Sequence, residues 1–339
     1  MRSVLERYLL IVPLIGALPA YAHHSPAQFD LSRIITFDGA VTGFEWKNPH
    51  VFVQVETIDD DGDVSRWEIE ADGPSMLVPE GWSSESLRTG DRVSVAAHPA
   101  RIPTRRTVLG YSITKQDGTV LAPNPDRFRE ASPVSPTRAS GLAGVWMPRW
   151  EEGFFAVGAN TSSMMLTERG EQHRNAPESS RNSQVDCVPF AAPRIMAYPV
   201  YTEIEVLADR VLIHVDWLAA ERVVDTDKRG HPEDGERSIQ GHTIGRWVND
   251  TLVMDTALFS EDSRDGITWL PSGPRKRIEE RLSLGEDGKT LNYEFVLEDP
   301  DYLLEPVAGK AIWDYRPDLE PVAIECDLEA ARRFLQPVE

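Results

Sequence analysis

The sequence predicts an all-β protein with two domains, an N-terminal OB-like small barrel and a larger C-terminal antiparallel β-barrel or half-barrel. Two observations predict this. Residues 34–121 and 202–315 consist mainly of β-branched and aromatic runs that alternate with period two and are separated by Asp- and Gly-containing turns. Between these regions, residues 123–140 hold four prolines and no apolar period, which is typical of a linker.

The chain begins with the features of a secretory signal peptide. Arg2 and Arg7 accompany an apolar run over residues 8–18, and Ala20-Tyr21-Ala22 fits a signal-peptidase site. The run is shorter than the about 20 apolar residues that a membrane-spanning helix needs. We therefore predict that residues 1–22 are removed by cleavage after Ala22, that the mature protein is periplasmic or secreted, and that it does not insert into a membrane.

The N-terminal domain, residues 23–122, is predicted to contain five or six strands and one short helix near residues 74–78. Its strand-like runs are 34–37, 40–46, 50–57, 64–70, 92–97 and 108–114. Strands of this number and length in about 90 residues suggest a small closed barrel of the OB type.

The C-terminal domain, residues 141–339, is predicted to consist of sequential hairpins followed by a short helix that Asp327 caps. Its strand-like runs are 202–207, 210–217, 221–225, 243–247, 251–256, 277–284, 290–297 and 309–315. Sequential hairpins predict an up-and-down antiparallel barrel or half-barrel, a fold that can hold a ligand in its mouth. Residues 161–182 show little clear pattern.

Charge and cysteine content restrict the classes of function. The formal net charge is −20, and so acidic a chain is repelled by nucleic acid and by anionic lipid surfaces. Cys187 and Cys326 are the only cysteines. In an exported protein we expect them to form one disulfide, which would close a loop of 140 residues counting both ends.

A copper site at the mature N-terminus is one functional hypothesis. Cleavage at the predicted site makes His23 the first residue, and its amine and imidazole together with a second imidazole would chelate one copper ion. His24, His50 and His98 are the candidate additional ligands. An X-X-His amino-terminal copper site is not expected, because the third mature residue is Ser25. The alternative is that His23 and His24 form a solvated terminus and that His50 hydrogen-bonds locally.

The acidic hairpin after Thr57 is predicted to be a turn rather than a calcium site. Asp59, Asp61, Gly62 and Glu68 match four EF-hand ligand or turn positions, but Thr57 falls at the first position and the flanking segments are strands.

Polar and aromatic residues of the C-terminal domain are the candidate ligand-binding residues. They are Arg194, His214, Trp217, Arg222, His242, Arg246, Trp247 and Asp255. No nucleophile elbow, zinc-protease motif, phosphate loop or cysteine nucleophile accompanies them. The leading expectation is therefore non-catalytic binding of a small apolar or amphipathic molecule by the barrel. The alternatives are a copper-binding or copper-dependent redox protein, and an enzyme in which His242 is a base that Asp255 orients.

Two sequence blocks indicate a family. The first is His23-His24-Ser25, Phe29-Asp30 and the Gly39, Val41, Phe44, Trp46 and Asn48-Pro49-His50 pattern. The second begins with Cys187-Val188-Pro189 and Pro193-Arg194-Ile195-Met196. It continues with Gly241-His242-Thr243-Ile244-Gly245-Arg246-Trp247 and Asp250-Thr251-Leu252-Val253-Met254-Asp255-Thr256. Together they resemble an uncharacterised family of exported bacterial proteins with an N-terminal domain and a C-terminal β-domain. The resemblance implies no established activity, so it leaves the ligand and the oligomeric state open.

Overall fold

The computed structural model describes residues 28–59, 61–124, 136–155, 164–175, 183–261, 271–322 and 324–333. These residues form two closed β-barrels and a few short helices, which confirms the predicted all-β fold class. Within the described ranges, no helix has the length and hydropathy that a membrane span requires. The predicted signal peptide and most of the predicted linker lie outside the described residues.

The first barrel has the strand connectivity of an OB fold. Its strands are β1 (Ile35–Glu45), β2 (Val51–Ile58), β3 (Val64–Ala71), β4 (Arg92–Pro99), β5 (Thr107–Lys115) and β6 (Val120–Leu121). The sheet order is β3-β2-β1-β4-β5-β6, and a parallel pairing of β3 with β5 closes the ring. The period-two burial of these strands places one apolar face inside the barrel, so the OB-like prediction is confirmed.

The first strand differs from the sequence-based expectation in one respect. The strand-like runs on either side of Asp38-Gly39 form a single strand, β1, rather than two. Gly39 is required there by close packing, because a Cβ at this position would lie 2.5 Å from the Glu56 carbonyl oxygen. The acidic hairpin is a turn, as predicted, and the Asp59 carboxylate accepts hydrogen bonds from the backbone amides of Asp61 (3.1 Å) and Asp63 (2.8 Å).

The second barrel contains nine strands. They are β7 (Gly144–Pro148), β8 (Thr202–Val206), β9 (Arg210–Val215), β10 (Ala220–Asp225), β11 (His242–Val248), β12 (Thr251–Ala257), β13 (Arg277–Leu284), β14 (Thr290–Glu298) and β15 (Val307–Tyr315). Their order around the ring follows the chain from β7 to β15, and β15 pairs with β7 to close it.

One strand pair in this barrel is parallel, which the hairpin pattern did not predict. β10 and β11 run in the same direction, with Val224 opposite Thr243, whereas the other neighbouring strands of the ring are antiparallel. The reason is geometric: nine strands in a closed ring cannot all alternate in direction, so one neighbouring pair must be parallel. The chain between β10 and β11 must therefore cross back along the outside of the barrel, and we call residues 226–241 the crossover.

Short helices lie outside the strands. Helix α1 (Pro74–Leu77) belongs to the first barrel. Thr167 caps the N-terminus of α2 (Glu168–Arg174), and its hydroxyl accepts a hydrogen bond from the Gly170 amide at 3.1 Å. The patternless stretch 161–182 thus contains a capped helix. Helix α3 (Arg194–Ala197) is fully buried and packs into the core of the second barrel.

The C-terminal segment returns to the first barrel. The Asp327 side chain caps helix α4 (Leu328–Arg332), as predicted, and accepts a hydrogen bond from the Ala330 amide at 2.8 Å. Arg333 lies over the Phe52 ring at 4.2 Å and forms an ion pair with Glu45 at 2.8 Å. This contact covers part of the outer face of β1 to β3.

The predicted disulfide holds the same segment. Cys187 and Cys326 are bonded, which confirms the pairing. Near the bond, the side-chain amide of Asn48 donates to the Ile324 carbonyl at 3.1 Å, and the Asp327 amide donates to the Asn48 carbonyl at 2.8 Å. The covalent bond and these hydrogen bonds together connect the two barrels.

Candidate functional site

The eight predicted ligand-binding residues lie at several separate places in the second barrel and do not line one cavity. Arg222 faces the barrel interior, and Arg194 and Trp217 lie at the end that α3 closes. His214, His242 and Asp255 lie on the outer face, whereas Arg246 and Trp247 are exposed near the turn at the opposite end.

Arg222 is the centre of a hydrogen-bonded network inside the barrel. Its two terminal nitrogens donate to the two carboxylate oxygens of Glu280 at 2.8 and 2.6 Å, and both side chains are fully buried. The Tyr293 hydroxyl donates to Glu280 at 2.7 Å, and Thr256 donates to it at 2.9 Å. Although burial alone would raise the pKa of Glu280, the Arg222 guanidinium and these donors hold it below its ordinary value.

The remainder of the interior is filled by apolar side chains. Trp146, Trp313, Tyr293, Ile213 and Leu252 are all fully buried and belong to one core cluster. These closely packed side chains form the hydrophobic core of the barrel. The Arg222 and Glu280 pair is therefore part of the packed core rather than the lining of an open mouth.

An aromatic cluster occupies the end of the barrel near α3. The Trp217 ring lies 4.7 Å from Tyr198 and 6.2 Å from Phe190, measured between centroids. The Arg194 guanidinium is almost completely buried and lies 3.5 Å from the centroid of Phe190. Ser75 of α1 donates a hydrogen bond to the Asp216 carbonyl at 2.6 Å, so the first barrel contacts this end.

His214 lies on the outer face of β9, and strand β10 separates it from His242 on β11. Its Nδ1 lies 3.2 Å from Glu221 on the neighbouring strand β10, and the side chain is 36 % exposed. An exposed imidazole and carboxylate in this register form a cross-strand pair.

His242 belongs to a cluster that the crossover completes. Its Nδ1 lies 2.8 Å from Nδ1 of His231, a crossover residue. The Nε2 atom of His242 faces Asp225 at 3.6 Å, and Nε2 of His231 faces Asp255 at 3.6 Å. We call Asp225, His231, His242 and Asp255 the His–Asp cluster. His242 and Asp255 therefore lie in one cluster, joined through His231.

Each carboxylate of the His–Asp cluster is also bound to a cation. Lys228 lies 2.6 Å from Asp225, and the Arg277 guanidinium forms a two-pronged ion pair with Asp255. Although burial raises the pKa of the Asp255 carboxyl, Arg277 holds it below its ordinary value. These ion pairs fix the positions of both carboxylates against the two imidazoles.

A groove of about 440 Å³ lies on the outer face of β13, β14 and β15, and we call it the β13–β15 groove. Two cross-strand rows of side chains line it. One row is Arg281, Glu294 and Lys310; the other is Glu279, Val296 and Ala308. The first row is charged throughout, whereas the second has an apolar portion, and Val296 is 42 % exposed.

Gly309 and Phe295 are paired between the two rows, and both residues are directed into the barrel interior. A Cβ on Gly309 would lie 2.4 Å from Cζ of Phe295, so the Phe295 ring occupies the space that a side chain would need. Gly309 therefore makes room for the Phe295 ring in the core of the barrel. Arg281 is bound to Glu279 at 3.1 Å, but no carboxylate among the described residues lies within 4.0 Å of the Lys310 ammonium.

The predicted copper ligands can be placed only in part. His23 and His24 lie outside the described residues. Nδ1 of His50 lies 3.4 Å from the Ala71 carbonyl oxygen and 3.7 Å from Glu70, whereas Nδ1 of His98 lies 2.8 Å from the Arg33 carbonyl oxygen. In the part of the chain that the structure describes, no three His, Cys, Asp or Glu side chains form a metal-holding group. The copper hypothesis for the mature N-terminus stays a prediction.

Sequence reasoning missed His231, Glu280 and the residues of the groove. His231 lies in Gly230-His231-Pro232, a polar stretch with no strand pattern, and only the parallel pairing brings it over β11. Glu280 is one of two adjacent glutamates in a strand, and its inward direction was readable from the alternation Ile278, Glu280, Leu282. The groove has no local signal, because its rows are formed by cross-strand neighbours.

Comparison with known proteins gives a family match over part of the chain. Among curated proteins, none matches this chain. The C-terminal block of the resemblance stays a prediction. Residues 12–108, which include β1 to β4 and the start of β5, match the model of one protein family. That family is described as "Family of unknown function (DUF6152)".

Proposed function

We propose that this protein is a non-catalytic binding protein and that the β13–β15 groove takes a small amphipathic molecule. The observation that carries the proposal is the groove itself, a concave surface of about 440 Å³ with an exposed apolar strip beside a charged row. Small-molecule sites commonly have volumes of about 300–1,000 Å³ and combine apolar lining with a few polar groups. The packed interior of the same barrel favours the outer face over the barrel mouth as the binding surface.

The chemistry of the groove indicates the chemistry of its ligand. Val296 and Ala308 are opposite each other on neighbouring strands and offer a flat apolar contact. Lys310, two residues after Ala308, offers an ammonium group without a carboxylate partner within 4.0 Å among the described residues. A molecule with an apolar or aromatic ring system and one anionic group fits this surface. Its ring system would cover Val296, and its anionic group would contact the Lys310 ammonium.

We also propose that the protein acts outside the cytoplasm after removal of residues 1–22. The basic and apolar leader supports this location, as does a disulfide between the only two cysteines. Disulfides persist in oxidising compartments and are rare in the cytosol.

The direct test is equilibrium binding of 1-anilinonaphthalene-8-sulfonate, an aromatic body with one anionic group, to the mature protein. We expect saturable binding that Val296→Trp abolishes by filling the groove. Lys310→Gln should weaken binding by up to about fivefold, since one exposed charge contact contributes about 0.2–1 kcal/mol.

Val223→Trp is the matched control. Val223 is also an outward-facing valine of a barrel strand, with 39 % exposure against 42 % for Val296, but it lies on β10. The control should bind the probe as the wild type does. Equal binding by the Val296→Trp protein, or fluorescence that never saturates, would show that the groove is not a binding site.

A further inference from the structure

We propose that His231 and His242 form a binding site for a divalent transition-metal ion of the class that prefers imidazole nitrogen, represented by Zn²⁺ and Cu²⁺. The two Nδ1 atoms are the ligands, and Asp225 and Asp255 lie behind the two rings, each carboxylate 3.6 Å from the Nε2 atom that it faces. This site is on the outer face of the second barrel and is separate from the predicted N-terminal copper site.

The two imidazoles of the His–Asp cluster have fewer N–H groups than polar contacts. The His–Asp cluster contains three polar contacts in series: Asp225 with His242, His242 with His231, and His231 with Asp255. Two neutral imidazoles carry only two N–H groups between them. If each ring directs its N–H to the carboxylate that it faces, both Nδ1 lone pairs point at each other across 2.8 Å. In that tautomer, a proton or a metal ion held by the two nitrogens makes this contact favourable.

The arrangement behind the two rings is the one that metal-binding histidines use. A ligating histidine usually donates its second ring N–H to a carboxylate, which fixes the tautomer and the ring orientation. Here both rings have such a carboxylate at Nε2, and both carboxylates are held by a second cation, Lys228 or Arg277. The carboxylates are therefore kept in the outer shell, and water would complete the coordination of the ion.

The distance between the ligands is close to what a metal requires. At metal–nitrogen distances of about 2.0–2.1 Å, two nitrogens are about 2.8 Å apart when they are adjacent in a square plane and about 3.3 Å apart in a tetrahedron. The observed 2.8 Å separation thus needs an opening of at most about half an ångström, together with a turn of the two rings that directs both lone pairs to the ion.

The surroundings of the two rings allow that adjustment and the entry of an ion. His242 is part of strand β11, whereas His231 follows Gly230 in the crossover. A Cβ added to Gly230 would have no other atom within 4 Å, so the backbone beside His231 is loosely packed. The side chains of His231 and His242 are 16 % and 22 % exposed, so both rings lie at the surface of the barrel.

The test is titration of the untagged mature protein with Zn²⁺ by calorimetry, followed by Cu²⁺ titration with electron paramagnetic resonance. We expect one site in this barrel, lost in His231→Asn and in His242→Asn, and two histidine nitrogens in the copper spectrum of that site. Asp255→Asn should weaken binding by about 10–100-fold, which is the usual effect of removing an outer-shell acceptor. His214→Asn, another outer-face histidine paired with a carboxylate, is the matched control and should bind as the wild type does.

Nitrogen-15 NMR of the histidine rings keeps the proposal falsifiable if one variant fails to fold. In the wild-type protein, Zn²⁺ should shift Nδ1 of His231 and His242 and leave His214 unchanged. Unchanged Nδ1 resonances, with a single proton shared between the two rings, would overturn the proposal, as would Zn²⁺ binding that survives both asparagine variants.

Discussion

Replacing Glu280 by glutamine should destabilise the second barrel by about 3–5 kcal/mol, because it leaves the Arg222 charge buried without its counter-charge. Both side chains are fully buried. Glu280 accepts two hydrogen bonds from Arg222, one from Tyr293 and one from Thr256, and a glutamine can accept at only one of the two oxygen positions. The lost charge-assisted hydrogen bonds, worth about 1.5–3 kcal/mol each, account for a loss of this size.

The assay is chemical and thermal unfolding followed by tryptophan fluorescence, with the transition of the second barrel fitted separately. A loss of 3–5 kcal/mol corresponds to a fall in Tm of roughly 6–20 °C for a domain of this size. Glu279→Gln is the matched control, since the neighbouring glutamate is outward-facing with 58 % side-chain exposure and should change stability by less than about 0.5 kcal/mol. The pKa of Glu280 is lowered in the folded state, so the cost should be present near neutral pH and shrink as the pH falls through that lowered value.

A second variant separates charge burial from loss of packing. Replacing Arg222 by methionine and Glu280 by leucine together removes both charges, and we expect it to cost less than the single Glu280→Gln change. A single variant that costs under about 1 kcal/mol, or a double variant that costs more than the single one, would refute the reasoning that the buried pair is electrostatically coupled.

Two further predictions concern the first barrel and the disulfide. Burial, with Asp72 and Glu68 nearby, raises the pKa of Glu70 to about 8, so the folded state loses stability as the pH rises from 4.5 towards 8, by about 1.4 kcal/mol per pH unit. Glu70→Gln should therefore match the wild type near pH 4 and exceed its urea midpoint near pH 9; the same difference at both pH values would contradict this. Replacing Cys187 and Cys326 by serine should lower the unfolding free energy by up to about 4–5 kcal/mol, from the chain-entropy cost of a 140-residue loop, and should speed tryptic cleavage near Arg333. An unchanged denaturation midpoint would argue against that stabilisation.

Much of the fold could be predicted because the signals are local. Period-two burial marks each strand, as in Ile278, Glu280 and Leu282 on β13. The turn residues are visible in the same way: Asn249 and Gly288 adopt positive φ at the two hairpins where the sequence places polar turn residues. Helix α4 was predictable from its Asp327 cap, but α3 was not, because its buried residues Ile195 and Met196 have no periodic pattern over so short a length.

The candidate sites were less predictable, because they depend on contacts between distant segments. His231 is 11 residues from its partner His242 and is brought to it by the crossover, which exists because a nine-stranded ring requires one parallel pair. Arg222 and Glu280 are 58 residues apart and meet across the barrel interior. Neither partnership has a local sequence signature.

The sequence by itself therefore determined the all-β class, the OB-like and larger barrels, the turn at Asp59 and the disulfide between the only two cysteines. These follow from side-chain periodicity, turn chemistry and composition, which act over a few residues or over the whole chain. Only the tertiary structure decided that Arg222 is a core residue, that His242 pairs with His231, and that an amphipathic groove lies on β13 to β15. Closure of the ring sets the strand register and the crossover, and those long-range constraints choose the partner of each polar side chain.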